Sequence, residues 1–479
     1  MPSVIDDLEL HPARLIPAIG IGKGTEQEER ATSALLAVMG VVPSFGKRVL
    51  RYLGAPGGTI TAFTEPHLET RDGIAGIPDG MIVVQRGARQ WVALVEVKTA
   101  RNTLDADQID RYLQIANGLG FDAMLTISNE IVADPTESPV RIEKRRTRKV
   151  RLGHLSWSRI MTEAVIEVEH HGVDDPEQAW ILGELIAYMD NEKSGAGGYE
   201  GMGAQWVAVR NAARQHTLRA TDPGVKAVAE DWEEFVEYLA LKLRQSLGRK
   251  VEPSYPRSST RDSRLRENAD SLGDSATLFA TIKVPDAAAP VEIEANLAAR
   301  QVTTSARVPA PKDGRAKTRI NWILRQLRDT PTDLRIEVHF SNVRATTSDM
   351  VESVRSRPES LLLADDTKRE PTAFTLALTR DMGGKRGKSK GSFAVESMEQ
   401  TLAFYGDVLQ KVTRWTPPAP KLKKVEEKEE AESPEPFSPG EFHELDESEP
   451  LSSPGFERQE SGVDLQPRGG ADTGQVVES

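Results

Sequence analysis

Residues 77 to 100 read IPDGMIVVQRGARQWVALVEVKTA. The apolar runs MIVVQ and WVALVEVK read as core, and the short Gly-containing link RGARQ between them predicts a β-hairpin. A strand alternates its side chains between two faces. Val92, Leu94, Glu96 and Lys98 therefore share one face, and Trp91, Ala93, Val95 and Val97 share the other. In an antiparallel hairpin the start of the first strand lies beside the end of the second. Asp79 is thereby carried to Glu96 and Lys98, and two carboxylates and an ammonium converge at one end of an apolar hairpin.

Such a convergence is costly unless something binds there. Adjacent carboxylates repel, and one takes up a proton unless a cation neutralises the pair. A hard divalent ion such as Mg²⁺, with Mn²⁺ as substitute, prefers carboxylate and carbonyl oxygens and keeps several waters. Asp79 and Glu96 are the candidate metal ligands, and the Val97 carbonyl is a natural third. A metal so held acidifies water and stabilises charge on a phosphate oxygen, and a neighbouring lysine orients the nucleophile or stabilises the transition state. Phosphodiester hydrolysis needs this set of groups.

The flanking sequence supplies a helix, three strands, a helix and a strand. TEQEERATSALLAVMGVV places Ala31, Leu35, Val38, Met39 and Val42 at helical spacing. TITAFTE, MIVVQ and WVALVEVK follow as strands. DADQIDRYLQIANGLG is a helix opened by Asp105 and stopped at Gly118 and Gly120, and FDAMLTISN is a buried strand. A strand-helix-strand crossover favours setting that last strand parallel to the earlier one.

Pro78-Asp79, then Glu96-Val97-Lys98, on a hairpin followed by a helix and a strand, resembles the PD-(D/E)XK nuclease superfamily. The resemblance spans roughly residues 25 to 130, about a quarter of the chain. It implies an α/β restriction-endonuclease-like core of order α-β-β-β-α-β, with Asp79 and Glu96 binding metal and Lys98 catalytic. It also implies a glutamate on the first helix, for which Glu26, Glu28 and Glu29 are candidates. Glu28 shares the inward face with Ala31 and Leu35 and is the first choice, as a catalytic residue and a further metal ligand; Glu29 is the second, since helix ends shift by a residue. Some members carry a glutamine on the helix after the lysine strand, and Gln108 stands at that place. Bland readings stand beside these: Pro-Asp-Gly is also a turn sequence, Glu28 also complements a helix dipole, and Asp105-x-x-Gln108 is close to a capping box.

Composition bounds the remainder. A chain of 479 residues is too long for one ordinary core. The net charge of −12 is concentrated in residues 416–479, which hold 16 acidic and 6 basic residues. That segment is rich in Pro, Glu and Ser, and predicts a disordered acidic tail. No cysteine is present, which excludes disulfides, thiolate zinc sites and cysteine nucleophiles. The first residues carry early acids and no sustained apolar core, and no apolar run reaches bilayer length, so a cytoplasmic protein with no membrane partner is expected.

The domain expectation is an N-terminal arm (1–24), the nuclease-like domain (25–135), a basic segment with a helical appendage (136–224), an α+β accessory domain (225–415) and the tail (416–479). RIEKRRTRKVR, residues 141–151, has seven basic residues and one acid. Arg141, Lys144, Arg145, Arg146, Arg148, Lys149 and Arg151 are its candidate nucleic-acid contacts. GGKRGKSKG, residues 383–391, is a second basic loop, read as a flexible turn ahead of a phosphate clamp. His170-His171 reads as a solvated pair, and His154 and Trp157 as packing residues.

The function expected is a metal-dependent nuclease, an endonuclease-type hydrolase acting on DNA ahead of RNA, in defence or repair by analogy. The alternative is a catalytically silent nuclease-like scaffold that binds nucleic acid or protein. The remaining partner expectations are a homodimeric second copy and an unidentified protein for the C-terminal domain or tail.

Overall fold

Glu26, Glu28 and Glu29 open the first helix, α1 (Glu26–Val41), placing carboxylates where the free N–H groups of the first turn favour negative charge. Its Ala31, Leu35, Val38 and Met39 are buried, as their spacing predicts. Pro43 cannot continue that helix and starts α2 (Pro43–Leu50) at an angle of 112°. The computed structural model describes residues 26–417, apart from Lys144 and 364–368, together with 11, 12 and 15. Most of the N-terminal arm, the tail from 418 onward and Lys144 of the basic run therefore lie outside the described residues.

The first sheet is built from β1 (His11–Pro12), β2 (Thr59–Thr64), β5 (Gly80–Arg86), β6 (Arg89–Val97), β7 (Ala123–Ser128) and β8 (Arg151–Ser156), in the order β1-β2-β5-β6-β7-β8. A short hairpin, β3 (Leu68–Glu69) with β4 (Ala75–Gly76), lies between β2 and β5 in the chain. β1, β2, β5 and β6 are antiparallel, while β6, β7 and β8 run parallel. The crossover from β6 to β7 is α3 (Ala106–Leu119), N-capped by the Asp105 side chain and closed by Gly120 in the left-handed region. Trp91, Ala93, Val95 and Val97 of β6 join a core with α1 and α2, and Val92 and Leu94 join a second core under α3. β6 is thus buried on both faces, and the site forms where it ends.

The segment after β7 departs from the expected appendage. β8 extends the sheet, and α4 (Trp157–Ile166) and α5 (Pro176–Asp190) bury Trp157, Ile160, Leu182 and Met189 in the same core as α1. The physical reason is that β7 has an open edge, whose unpaired groups β8 satisfies. The alternating pattern that would announce a half-exposed strand is lacking in RLGHLS.

A third core gathers α6 (Trp206–Arg214), α7 (Pro223–Leu247), α8 (Arg261–Ser275) and a seven-stranded antiparallel sheet. Its strands are β9 (Glu252–Pro253), β10 (Thr277–Lys283), β11 (Val291–Asn296), β12 (Gln301–Pro309), β13 (Arg335–Phe340), β14 (Thr346–Met350) and β15 (Pro371–Asp381), in the order β14-β13-β15-β12-β11-β10-β9. Helices α9 (Ala316–Gln326), α10 (Val351–Ser356) and α11 (Phe393–Asp407) complete it. This is the α+β character expected of 225–415, but the core also takes in Ile131, Tyr199, Met202 and Trp206, all ahead of that range. All the described residues fall in one compact unit. No single helix among them is long and apolar enough to cross a membrane.

Arginines and glutamates tie α7 to the first sheet's helices. Glu163 of α4 is almost fully buried and accepts from Arg244 of α7 at 2.5 Å, Tyr52 Oη at 2.6 Å and Arg48 Nη1 at 3.3 Å. Removing one partner of such a cluster strands the others' charges in low dielectric. Glu163→Ala is expected to lower unfolding stability by about 3–5 kcal/mol, measured by chemical denaturation. A loss below about 1 kcal/mol would mean that water already screens the cluster.

Candidate active site

The two-residue turn at Gly87-Ala88 sets the hairpin register, with Arg86 opposite Arg89 and Gly80 opposite Val95. Continuing that register one step sets Asp79 against Glu96. The Asp79 Oδ2 accepts a hydrogen bond from the Val97 backbone N–H at 2.7 Å, which holds the carboxylate against the end of β6. Glu96 is 1 % exposed, and its Oε1 accepts from Lys98 Nζ at 2.7 Å. Lys98 Nζ also donates to Glu28 Oε1 at 3.0 Å and to the Val97 carbonyl at 3.1 Å. Its donors face two carboxylates and one carbonyl.

Among the three glutamates of the first helical turn, Glu28 is the one that meets Lys98. Its other oxygen accepts from the Thr99 N–H at 3.3 Å and from Asn102 Nδ2 at 3.4 Å. Glu26 pairs instead with Arg30 one turn on. Glu28 thus has a role beyond the helix dipole: it joins α1 to the loop after β6.

Gln108 is held by its own helix. Its backbone N–H donates to the Asp105 cap at 2.8 Å, and its side chain donates to Tyr112 Oη at 3.2 Å. Among the described residues no hydrogen bond joins Gln108 to Asp79, Glu96 or Lys98. The reason is helical geometry: with Asp105 capping the helix, the side chain at 108 lies along its own helix over Tyr112. Tyr112 was not anticipated. Its hydroxyl donates to the Ile77 carbonyl at 2.7 Å, two residues before Asp79, and so pins the turn that delivers the carboxylate. Trp157 was read as packing and is fully buried, yet its indole N–H also donates to the Lys98 carbonyl at 3.0 Å. Tyr112 could have been found from its i+4 spacing to Gln108, whereas no local pattern points from Trp157 to Lys98, 59 residues away.

Burial, and then the charge of Glu96, push the Asp79 carboxyl well above the ordinary carboxylate range, against the pull of Lys98 and the Val97 N–H. Burial also raises Glu96, opposed by Lys98. For Lys98, burial disfavours the ammonium, but Glu96, Asp79 and Glu28 overcome it and hold its pKa above the usual value. Tyr112 is raised by burial, with Glu96 and Asp79 adding to the effect. The site is a small excess of negative charge held out of water.

The oxygens fit a hard cation. Glu96 Oε2 is buried without a hydrogen-bond partner, an orphaned acceptor beside a second carboxylate and a backbone carbonyl. Among the described residues no three His, Cys, Asp or Glu side chains form a ready cage. Any divalent ion would therefore be held by two carboxylates, the Val97 carbonyl and water, a donor set suited to Mg²⁺.

The basic run 141–151 is only partly free to meet a phosphate backbone. Arg146 pairs with Asp110 of α3 at 2.7 Å, Arg145 pairs with Glu143, and Arg141 approaches Asp262 at 3.8 Å. Arg148 and Lys149 are exposed, and Arg151 starts β8. In the parallel register Arg151 aligns with Ala123 and Ala93, so it stands below the level of Glu96 and Lys98. His154 is fully buried between Thr126 Oγ1 at 3.0 Å and the Glu130 carbonyl at 2.9 Å, and burial lowers its pKa to about 4. His170 and His171 are exposed.

No family model, no curated protein and no solved structure matches this chain.

Proposed function

We propose that the chain is a metal-dependent phosphodiesterase, a nuclease of the PD-(D/E)XK kind, acting on DNA ahead of RNA. The observation that carries this reading is the meeting of Asp79, Glu96, Lys98 and Glu28 at the end of one buried strand, from three separate elements. It is further supported by the order α1, β2, β5, β6, α3, β7 around that point, with β6 and β7 parallel. The inserted α2, the β3–β4 hairpin and the added β8 are departures from the bare α-β-β-β-α-β pattern.

In this reading Asp79 and Glu96 would hold the cation, with the Val97 carbonyl completing the protein's share of its oxygens. A divalent ion there supplies an acidified water and neutralises charge on a phosphate oxygen. Lys98 turns its ammonium toward the scissile phosphate, and Glu28, itself fixed by Thr99 and Asn102, sets the ammonium's position. Tyr112 and the Val97 N–H hold Asp79 in place, so little reorganisation is needed when substrate arrives.

One observation favours a second reading. Lys98 already pairs with Glu96 and Glu28, so the same four residues could serve as a closed ion cluster in a silent scaffold that binds nucleic acid or protein. Incubation of the full chain with plasmid and single-stranded DNA and with RNA, in Mg²⁺ or Mn²⁺ and then in chelator, separates the two. Cleavage in metal and none in chelator is expected. Binding without cleavage in either metal would leave the scaffold, and equal cleavage in chelator would remove the metal from the account.

A further inference from the structure

Far from the carboxylates, two arginines face each other without an acid between them. Arg210 of α6 is 8 % exposed, its Nη1 donates to the Gly384 carbonyl at 2.6 Å, and its buried Nε has no partner. Arg300 stands at the turn between β11 and β12, and its carbonyl accepts from the Met382 N–H at 2.7 Å, just before the same loop. A Cβ at Gly384 would lie 3.9 Å from Arg210 Nη1 and 4.0 Å from Arg300 Nη2. Glycine therefore leaves an open point flanked by two guanidinium groups. Among the described residues neither arginine has a carboxylate within ion-pair distance. Burial, and then the charge of Arg300, hold the Arg210 pKa below its usual value.

The loop beside them adds Lys385, Arg386, Lys388 and Lys390 with no acid. It is not the loose turn its glycines suggested. The Lys385 N–H donates to the Gly391 carbonyl at 3.1 Å and the Phe393 N–H to the Lys385 carbonyl at 3.0 Å, closing the loop onto the N-terminus of α11. Lys388 pairs with Glu200 at 3.0 Å, whereas among the described residues Lys385 Nζ donates to the Lys390 carbonyl, at 3.1 Å, and pairs with no acid. Lys388 also lines a cleft of about 560 Å³ that it shares with Trp157, the residue bonded to the Lys98 carbonyl.

We propose that Arg210, Arg300 and the 383–391 loop form a phosphate-binding site that grips the backbone of a nucleic-acid strand. The phosphate chemistry follows from the paired guanidinium groups, which suit a tetrahedral anion and repel each other without one. The assignment of that phosphate to a nucleic acid rests on the nuclease reading, and a small phosphorylated molecule would satisfy the same groups.

Arg300→Gln is the informative variant, because Arg300 is exposed and has a positive φ of 58°, which glutamine keeps while losing the charge. Lys385→Gln, at an exposed loop position, serves as the second variant should the first fold poorly. Thermal midpoints are read in chloride and in inorganic phosphate at matched ionic strength. Binding of a labelled oligonucleotide is read by anisotropy in chelator, where nothing is cut. The wild-type midpoint should rise in phosphate beyond its value in chloride. Arg300→Gln should melt higher than wild type in chloride, because the like-charge repulsion is gone, and should lose most of the phosphate response. Its oligonucleotide binding should weaken roughly fivefold, and the slope of log affinity against log salt should fall by about one.

A phosphate response abolished by the variant, with oligonucleotide binding unchanged, would keep the site and assign it to a small phosphorylated molecule. Equal responses to phosphate and chloride in the wild type, or a variant unchanged in every reading, would overturn the proposal. The chelator arm keeps the two readings apart, since oligonucleotide binding is read there whether or not the wild type cleaves in metal.

Discussion

Lys98→Ala is expected to reduce metal-dependent cleavage by about 10²–10³-fold, and to cost about 3–5 kcal/mol of stability at neutral pH. Both effects have one origin. The ammonium lies 2.7 Å from a Glu96 oxygen and 3.0 Å from a Glu28 oxygen, and all three side chains are at most 15 % exposed. Removing it leaves two carboxylates facing each other out of water and, in the proposed reading, takes away the cation aimed at the phosphate.

The stability cost has a sign in pH. The folded pKa of Glu96 is already raised, and loss of Lys98 raises it further. A carboxyl raised on folding contributes stability below its unfolded pKa, about 4.3 for glutamate, and that contribution disappears as pH climbs through the folded value. The variant's deficit should therefore be large at pH 8 and small near pH 5, read as the denaturation midpoint at each pH. Plasmid cleavage at the wild-type rate would clear this site of the chemistry. A deficit equal at both pH values would show that the loss is one of packing rather than charge.

Asp79→Asn should do the opposite to stability while also ending activity. Burial and the Glu96 charge raise the Asp79 carboxyl well above its ordinary value. Its ionised form therefore opposes folding, and the opposition grows as pH rises from about 3.9, the unfolded value, through the folded one. Asparagine keeps an oxygen to accept the Val97 N–H, now at 2.7 Å from the carboxylate, and drops the charge. At pH 8 the metal-free variant should be more stable than the wild type by about 1–2 kcal/mol, the size common when a strained functional group is relieved. The gap should close toward pH 4. Addition of Mg²⁺ should raise the wild-type midpoint and leave that of the variant unmoved. An Asp79→Asn protein less stable than wild type at pH 8 would mean that the carboxylate supports the fold, and that the two acids are not in conflict.

How much of this was legible in the sequence differs from residue to residue. Asp79, Glu96 and Lys98 were found together because a two-residue turn propagates its register along both strands, and the alternation of side chains then follows. The burial of Ala31, Leu35, Val38 and Met39 was readable from helical spacing alone. β8 was missed, since RLGHLS carries no clean alternation and its strand exists because β7 offers an edge. β11 and β12 were missed for another reason. Glu292, Glu294, Thr303 and Ser305 alternate with buried residues and lie toward the more open side of the sheet, so that half of each strand looks like loop. For Gln108 a capping position and a site position share one sequence signature, and the structure shows its backbone N–H serving the Asp105 cap and its side chain on Tyr112.

The sequence by itself determined the hairpin, the helix on either side of it and the pairing of two acids with a lysine, because each of these depends on neighbours a few residues away. Only the tertiary structure decided that Glu28, 70 residues from Lys98, is the helix carboxylate that meets it. It also decided that Trp157 and Tyr112 brace the site, and that Arg210 and Arg300 converge on Gly384. Such meetings depend on how helices lie across sheets, and that is set by apolar packing summed over whole faces. Packing of this kind is non-directional, so it leaves no local mark at the polar residues it brings together.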